Sequence, residues 1–176
     1  MKIIKNQSLA FVSKSLKDTK NIAEKFVEDT ENTARVFGAR EHAVVVAMYG
    51  DLGSGKTTFV KAIASAFGIE NTVTSPTFVI EKIYPIRTDG RSKLSAFNGT
   101  SQFENLIHID AYRLKSGEEL KSLGWEDISK NPKNIIFIEW PERIIEILPD
   151  NIKKIHFTFI DENVREIEII LPHLET

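Results

Sequence analysis

The sequence predicts an α/β protein, a three-layer sandwich with a mostly parallel central sheet and a C-terminal antiparallel hairpin. The first observation is an apolar, β-branched run at 43–49, which is typical of a strand that helices cover on both faces. The second is the order of that strand, a glycine-rich turn and an amphipathic helical pattern at 56–67. The third is a pair of alternating apolar runs, 155–159 and 167–171, around a polar turn.

The remaining elements follow from local patterns taken in chain order. Ser15 and Asp18 have the spacing of a helix cap, and the apolar stripe after them predicts a helix that runs to about Phe37. Gly68 is placed to end the helix that begins at Lys56. The other predicted elements are strands at 78–84, 106–110 and 135–140 and a short helix at 118–123.

Length and composition indicate one globular domain over residues 1–176. The chain is 41% apolar and 27% charged, which excludes a disordered or collagen-like chain. Its net charge of −2 gives no electrostatic argument for sequence-independent binding to nucleic acid. The segment 86–103 is polar and contains two glycines, and it predicts a surface insertion in this domain.

The residue types that are absent also exclude functions. The chain has no cysteine, which excludes disulfides, thiol nucleophiles and thiolate zinc sites. Its N-terminus lacks the apolar run of a secretory signal, and no segment approaches the roughly 20 apolar residues of a membrane span. We therefore expect a cytoplasmic protein with no membrane partner.

Residues 50–57, Gly-Asp-Leu-Gly-Ser-Gly-Lys-Thr, match the phosphate-binding loop pattern G-x-x-x-x-G-K-[ST]. Backbone N–H groups in such a turn, and at the start of the helix after it, bind phosphate oxygens. Lys56 has the position that reaches the β- and γ-phosphates, and Thr57 has the position that ligates Mg²⁺. The match lies between a buried strand and an amphipathic helix, so it predicts a P-loop nucleotide-binding fold.

Two carboxylates follow apolar strands of the predicted sheet. Asp110 ends the run 106–110, and Glu139 lies near the end of the run 135–140. Ligands of open α/β sheets bind beyond the carboxyl ends of the strands. At least one of these residues is therefore expected to hold magnesium or to position water, and the sequence leaves open which one contacts the metal.

Other features bear on the nucleotide and the reaction. The hydroxyl-rich stretch that contains Ser75 and Thr77 fits either an ordinary turn or a switch-like loop that senses the γ-phosphate. No Asn-Lys-x-Asp motif is present, so nothing favours GTP. The chain also lacks an arginine-dense lid of the kind that nucleoside monophosphate kinases carry.

The motifs, in their order along the chain, are specific to one family. They are Gly-Asp-Leu-Gly-Ser-Gly-Lys-Thr-Thr-Phe at 50–59, Ser-Pro-Thr-Phe at 75–78, His-Ile-Asp-Ala-Tyr-Arg-Leu at 108–114, Glu-Leu with Gly124, and Ile-Glu-Trp-Pro-Glu at 138–142. Together they resemble the TsaE (YjeE) family, the small ATPases of tRNA threonylcarbamoyladenosine (t6A) biosynthesis. The resemblance extends over about residues 13–170.

The resemblance implies roles for individual residues. It implies an Mg²⁺-dependent ATP hydrolase in which Lys56, Asp110 and Glu139 are catalytic and Thr57 and Glu139 hold the metal. Ser15 and Arg165 correspond to positions near the nucleotide, although the hairpin turn is longer here. The implied ATP-binding residues are Ser15, Asp51, Leu52, Gly53, Ser54, Gly55, Lys56, Thr57, Thr58 and Arg165.

The resemblance also implies partners. Family members act with the TsaD–TsaB heterodimer, support its turnover by ATP hydrolysis, and are linked to tRNA indirectly, through that complex. The segment 86–103 is longer than in most members, and its Arg87, Arg91 and Lys93 fit either a solvated insertion or a contact with a partner or tRNA. Two alternatives stay open, a P-loop small-molecule kinase and a nucleotide-dependent binding module that does not hydrolyse ATP.

Overall fold

The structure, a computed structural model, describes residues 3–5, 8–36, 40–69, 73–74, 76, 79–86, 101–150 and 152–172. Eight strands form one sheet and four helices cover it. The strands are β1 (Ile3–Lys5), β2 (Ser8–Ser13), β3 (Val44–Tyr49), β4 (Glu81–Pro85), β5 (Asn105–Asp110), β6 (Asn134–Glu139), β7 (Lys153–Phe159) and β8 (Arg165–Ile170). The helices are α1 (Leu16–Val36), α2 (Lys56–Ala66), α3 (Gly117–Ser122) and α4 (Trp125–Lys130).

The sheet has a parallel centre and antiparallel edges. Its strand order is β1-β2-β8-β7-β3-β6-β5-β4. The four central strands β7, β3, β6 and β5 are parallel to one another. At the edges, β4 pairs antiparallel with β5, and β8, β2 and β1 continue antiparallel from β7. The predicted α/β class and the C-terminal hairpin are confirmed, and the sheet as a whole is mixed.

Two apolar cores lie on opposite faces of the sheet. Helices α1 and α2 pack on one face, where Phe26, Phe59, Phe137 and Phe157 form a chain of ring contacts with centroids 5.5–6.1 Å apart. Helices α3 and α4 contribute Leu120 and Trp125 to the core on the other face. This arrangement is the predicted three-layer sandwich. It also explains the continuous apolar run of β3, because both faces of that strand are covered.

The start of α1 follows the predicted cap. The Asp18 amide donates to Ser15 Oγ at 3.1 Å, and the Lys14 amide donates to Asp18 Oδ2 at 2.9 Å. The two side chains therefore satisfy backbone N–H groups that the helix itself leaves unpaired. Hydrogen bonds to the Lys14 amide and to Ser15 lower the pKa of Asp18.

Four elements differ from the predictions. The strand predicted at 78–84 begins only at Glu81, because Ile80 has a φ of 67° that interrupts extended backbone. Helix α4 was not predicted and follows α3 directly after a turn at Gly124. Strands β1 and β2 were not predicted either. The partner of β2 is β8, at the other end of the chain, so local pattern carries little information about it.

The segment predicted as a surface insertion returns to the core at its ends. Residues 87–100 lie outside the described part of the chain. Ile86 is buried, and Phe103 is fully buried against Phe67 with ring centroids 6.1 Å apart. The carboxylate of Glu31 accepts hydrogen bonds from Ser101 Oγ and the Gln102 amide. The surface prediction therefore does not extend to 86 and 101–103.

Within the described ranges, no helix combines the length and the apolar character that a bilayer crossing requires.

A largely buried ammonium group, that of Lys153, lies beside α1. Lys153, the first residue of β7, donates from Nζ to Thr30 Oγ1 at 2.7 Å and lies 5.2 Å from the ring centroid of Phe26. Burial lowers the pKa of Lys153 to about 8, which nearby Asp29 partly opposes. The unfolded chain therefore binds a proton between pH 8 and pH 10.5 that the folded chain has lost, so stability rises with pH in this window.

We predict that Lys153→Met stabilises the protein at pH 7, by up to about 3 kcal/mol less the lost Thr30 hydrogen bond. The advantage should shrink as the pH rises from 8 to 10.5, because the folded wild type no longer holds a charged lysine and its own stability rises in this window. Urea unfolding at pH 7 and at pH 10 measures this. The exposed Lys25→Met is the control for charge removal, and an advantage that is equal at both pH values would contradict the prediction.

We predict that Gly50→Ala destabilises the protein by more than about 2 kcal/mol, since both sterics and backbone conformation oppose it. A Cβ on Gly50 would lie 2.4 Å from the backbone oxygen of Phe157, and the residue has a φ of 137°. Gly124→Ala is the matched control, because Gly124 also has a positive φ but its Cβ would meet no atom within 4 Å. Chemical denaturation of both variants separates the clash from the backbone strain, and equal losses would argue against the close contact.

Candidate functional site

The glycine-rich loop joins the end of β3 to the start of α2. Its backbone is left-handed at Gly50, Gly53 and Gly55, with φ values of 137°, 78° and 108°. Helix α2 begins at Lys56 with no side-chain cap on its N-terminus. The first N–H groups of the helix, which have no partner within it, therefore face the loop. This arrangement suits an anion at the positive end of the helix dipole.

Lys56 is buried and is held by the loop itself. Its Nζ donates to the carbonyl oxygens of Gly50 at 2.5 Å and Asp51 at 2.9 Å. The ammonium also lies 4.4 Å from the ring centroid of Trp140, which has a left-handed φ of 58°. Burial lowers the pKa of Lys56, and the carboxylates of Glu139 and Asp110 oppose this shift. The charge of Lys56 therefore lies between an aromatic face and two acidic groups.

Glu139 is the point at which three elements meet. It ends β6 and is only 4% exposed. Its Oε1 accepts a hydrogen bond from Thr57 Oγ1 of α2 at 2.7 Å and lies 2.9 Å from His108 Nε2 of β5. The hydroxyl and the carboxylate that the sequence analysis assigned to a metal are thus in direct contact.

Asp110 lies beside Glu139 at the same sheet edge. The two residues are register partners in the parallel pair β5 and β6. Asp110 is 5% exposed, and its Oδ1 accepts a hydrogen bond from the Tyr112 amide at 3.1 Å, which caps the short 3-10 turn Ala111–Arg113. The cap fixes this carboxylate next to Glu139.

Two cavities open on the two sides of the loop. The larger has a volume of about 380 Å³, and Lys56, Asp110 and Glu139 contribute to its lining. The smaller has a volume of about 180 Å³. The larger is lined by Leu52, Gly53, Gly55, Lys56, Thr57, Thr58, Asp110, Tyr112, Glu139 and Trp140. The smaller is lined by Ser13, Ser15, Leu16, Thr19, Gly53, Ser54, Gly55, Thr58, Phe157, Glu162, Asn163, Arg165 and Ile167.

The structure brings most of the predicted site residues to these cavities. Ser15 and Arg165, from opposite ends of the chain, both line the smaller one. Ser15 Oγ is used in the helix cap, and Arg165 Nη1 donates to carbonyl oxygens of the hairpin turn, including that of Asp161 at 2.6 Å. Asp51 is exposed and contributes its backbone oxygen to Lys56. Ser75 and Thr77, with the predicted switch-like loop, lie outside the described residues.

Residue-by-residue assignment missed His108 and Trp140. His108 is fully buried in β5 and contacts Glu139, yet the sequence analysis gave it no role of its own. The available signal was a lone histidine inside an apolar strand, two residues before Asp110 and hence on the same face. The contact of Trp140 with Lys56 depends on a left-handed backbone, which no periodic pattern indicates.

The donor set fits a nucleotide with a hard divalent cation. Thr57, Asp110 and Glu139 carry oxygen atoms of the kind that Mg²⁺ prefers as ligands. Ser54 Oγ, in the loop, is buried and has no hydrogen-bond partner among the described residues. Across the described ranges, no group of three or more His, Cys, Asp and Glu side chains could hold a metal alone.

Known proteins resemble the chain in sequence and in fold. The TsaE family model, described as threonylcarbamoyl adenosine biosynthesis protein TsaE, matches residues 13–167. The tRNA threonylcarbamoyladenosine biosynthesis protein TsaE of Rickettsia prowazekii (strain Madrid E) is 34% identical over 152 residues, which cover 86% of this chain and 87% of that protein. The protein of the same description from Treponema pallidum (strain Nichols) is 32% identical, with 81% and 93% covered.

A solved structure supports the fold. The crystal structure of YdiB from Bacillus subtilis matches with a TM-score of 0.65 over 98% of this chain and 88% of that one, at 24% sequence identity. The family model and the curated relatives both cover the glycine-rich loop and the two acidic strand ends. The chain therefore belongs to the TsaE family of tRNA threonylcarbamoyladenosine biosynthesis proteins.

Proposed function

We propose that this protein is an Mg²⁺-dependent ATPase that acts with a TsaD–TsaB complex in t6A biosynthesis. The contact of Thr57 Oγ1 with Glu139 Oε1 carries the proposal. It joins the hydroxyl group that ligates Mg²⁺ in the phosphate-binding loop pattern to a carboxylate at the end of β6. Lys56 lies in the same cavity, so a triphosphate placed there would meet its ammonium group and the N-terminus of α2.

Each group of residues around the larger cavity has its own role in phosphoryl transfer. The loop amides and Lys56 bind and orient the phosphates, and Thr57 and Glu139 hold Mg²⁺, which neutralises charge on the phosphate oxygens when bound. Asp110 is at the edge of the same cavity and is placed to orient the attacking water. Catalysis then rests on positioning and on charge stabilisation.

Lys56 is the one cationic side chain among the described residues that line the larger cavity. No arginine is among these residues. Phosphoryl transfer is often accelerated by an arginine supplied in trans, by roughly 10³–10⁵-fold. A partner protein that completes the site would therefore raise a low intrinsic rate. This supports a role for TsaD–TsaB as activator and leaves contact with tRNA to that complex.

The smaller cavity is the proposed site of the nucleoside. Gly53, Gly55 and Thr58 line both cavities, so a ligand that follows the loop would pass from one to the other. Ser15 and Arg165 are then contacts to the base or the sugar, and Asp51, Leu52 and Ser54 complete the binding loop. We also propose a cytoplasmic location, because the proposed role is in the modification of tRNA.

We predict that Lys56→Ala lowers ATP turnover at least 100-fold, because the phosphates lose the only cationic side chain among the described residues that line the larger cavity. The assay measures ADP and inorganic phosphate from the purified protein with Mg²⁺. Lys61→Ala is the matched control, since it removes an exposed lysine from the same helix. Equal amounts of ADP and phosphate separate hydrolysis from a kinase, which would transfer the phosphate to an acceptor, and undiminished turnover in Lys56→Ala would reject the assignment.

We predict that TsaD–TsaB from the same organism stimulates ATP turnover at least 10-fold. The measurement is a titration of the heterodimer against a fixed concentration of this protein, with Lys56→Ala as the control for ATPase activity of the partners. If the proteins neither bind nor change the rate, the partner proposal is wrong even if the isolated protein hydrolyses ATP. If they bind while no turnover occurs under any condition, the protein is a nucleotide-dependent binding module.

A further inference from the structure

His108 is a buried polar residue in an apolar strand. It lies in β5 between Ile107 and Ile109, which pack in the core on the α3 and α4 side of the sheet. Because side chains alternate along a strand, His108 points to the opposite face, toward α2. Its side chain has no exposed surface. Such a position ordinarily holds an aliphatic residue, so the imidazole calls for a specific explanation.

Among the described residues, the imidazole of His108 makes one hydrogen bond, and its partner is Glu139. His108 Nε2 lies 2.9 Å from Glu139 Oε1, the same oxygen that accepts from Thr57 Oγ1. A carboxylate oxygen only accepts, so the imidazole donates and its proton is on Nε2. Oε1 therefore receives two donors. Neither of these two contacts uses Glu139 Oε2, the second oxygen of a side chain that lines the larger cavity.

The other ring nitrogen has no hydrogen-bond partner among the residues that the structure describes. His108 Nδ1 is buried and has no hydrogen bond within the described part of the chain. A buried polar atom of this kind opposes folding, since water would satisfy it in the unfolded chain. The histidine thus contributes a poorly satisfied group to the core and a well-formed bond to Glu139. That balance suits a residue whose main role is to orient the carboxylate.

We propose that His108 is a positioning residue that fixes the carboxylate of Glu139 for magnesium, a role that rests on the proposed function. The imidazole anchors Oε1, and the rotation of the carboxylate about its last bond is thereby restricted. Oε2 is then held toward the cavity before the metal–nucleotide complex arrives. His108 touches neither metal nor nucleotide in this role, and it acts through Glu139 alone.

Two substitutions separate the hydrogen bond from the space that the ring fills. His108→Gln keeps an N–H donor near the position of Nε2, whereas His108→Leu fills the volume without a donor. The control is Asn105→Leu, which removes a different side-chain bond between β5 and β6, that of Asn105 Nδ2 to Asn134 Oδ1 at 3.0 Å. Asn105 is at the start of β5, the end of the strand away from the glycine-rich loop.

The first readout is the concentration of Mg²⁺ at which half of each variant has bound a non-hydrolysable ATP analogue, at a fixed concentration of that analogue. His108→Leu should require about tenfold more Mg²⁺, while its affinity for the analogue in EDTA stays within about twofold of wild type. His108→Gln and Asn105→Leu should stay within about threefold in both conditions. If His108→Leu leaves the Mg²⁺ requirement unchanged, or if His108→Gln loses as much as His108→Leu, the proposal is overturned.

The second readout needs neither nucleotide nor metal. A long-range ¹H–¹⁵N spectrum of the labelled wild-type protein should contain a histidine signal with a protonated Nε2 and a bare Nδ1 that vanishes in His108→Gln. A proton on Nδ1 instead would overturn the assignment. Because this spectrum is recorded on the ligand-free protein, it tests the orientation of His108 even if the protein does not hydrolyse ATP. Failure of the proposed function would instead appear as a wild type that binds no nucleotide.

Discussion

The parallel pairing of β3, β5 and β6 is the constraint on which the rest of the site depends. Parallel strands that are paired side by side end at the same edge of the sheet, so the residues after their carboxyl ends become neighbours. The pairing places Glu139 beside Met48 of β3 and beside Asp110 of β5. Gly50 directly follows the last residue of β3, so the loop that begins there lies against both carboxylates. A shift of one residue in either register would turn a carboxylate to the other face.

The charged groups at this edge are buried together. Lys56, Asp110 and Glu139 are each no more than 5% exposed. A buried charge is costly unless another charge or a hydrogen bond compensates it. Here the carboxylates oppose the effect of burial on the pKa of Lys56, and Thr57 and His108 hydrogen-bond Glu139. The site therefore holds a cation and two carboxylates with little exposed surface, where the surrounding protein screens their charges less than bulk water would.

The two cavities differ because different parts of the fold build them. The central parallel strands supply the acidic residues of the larger cavity. The smaller one depends on the antiparallel edge, where β2 pairs with β8 and Ser13 is the register partner of Arg165. That pairing brings the start of α1, with Ser15, to the hairpin turn. The edge strands thus complete a site whose charged part comes from the centre of the sheet.

Local patterns in the chain were enough to locate β3, the glycine-rich loop, α2 and the cap of α1, since each of these is set by hydrogen bonds or periodicity over a few residues. The same patterns placed Asp110 and Glu139 at strand ends. They did not reveal β2, whose hydrogen-bond partner is at the other end of the chain, or the contacts of Glu139 with His108 and of Lys56 with Trp140. Those contacts join residues far apart in sequence, and strand register and backbone handedness determine them only when the sheet has assembled.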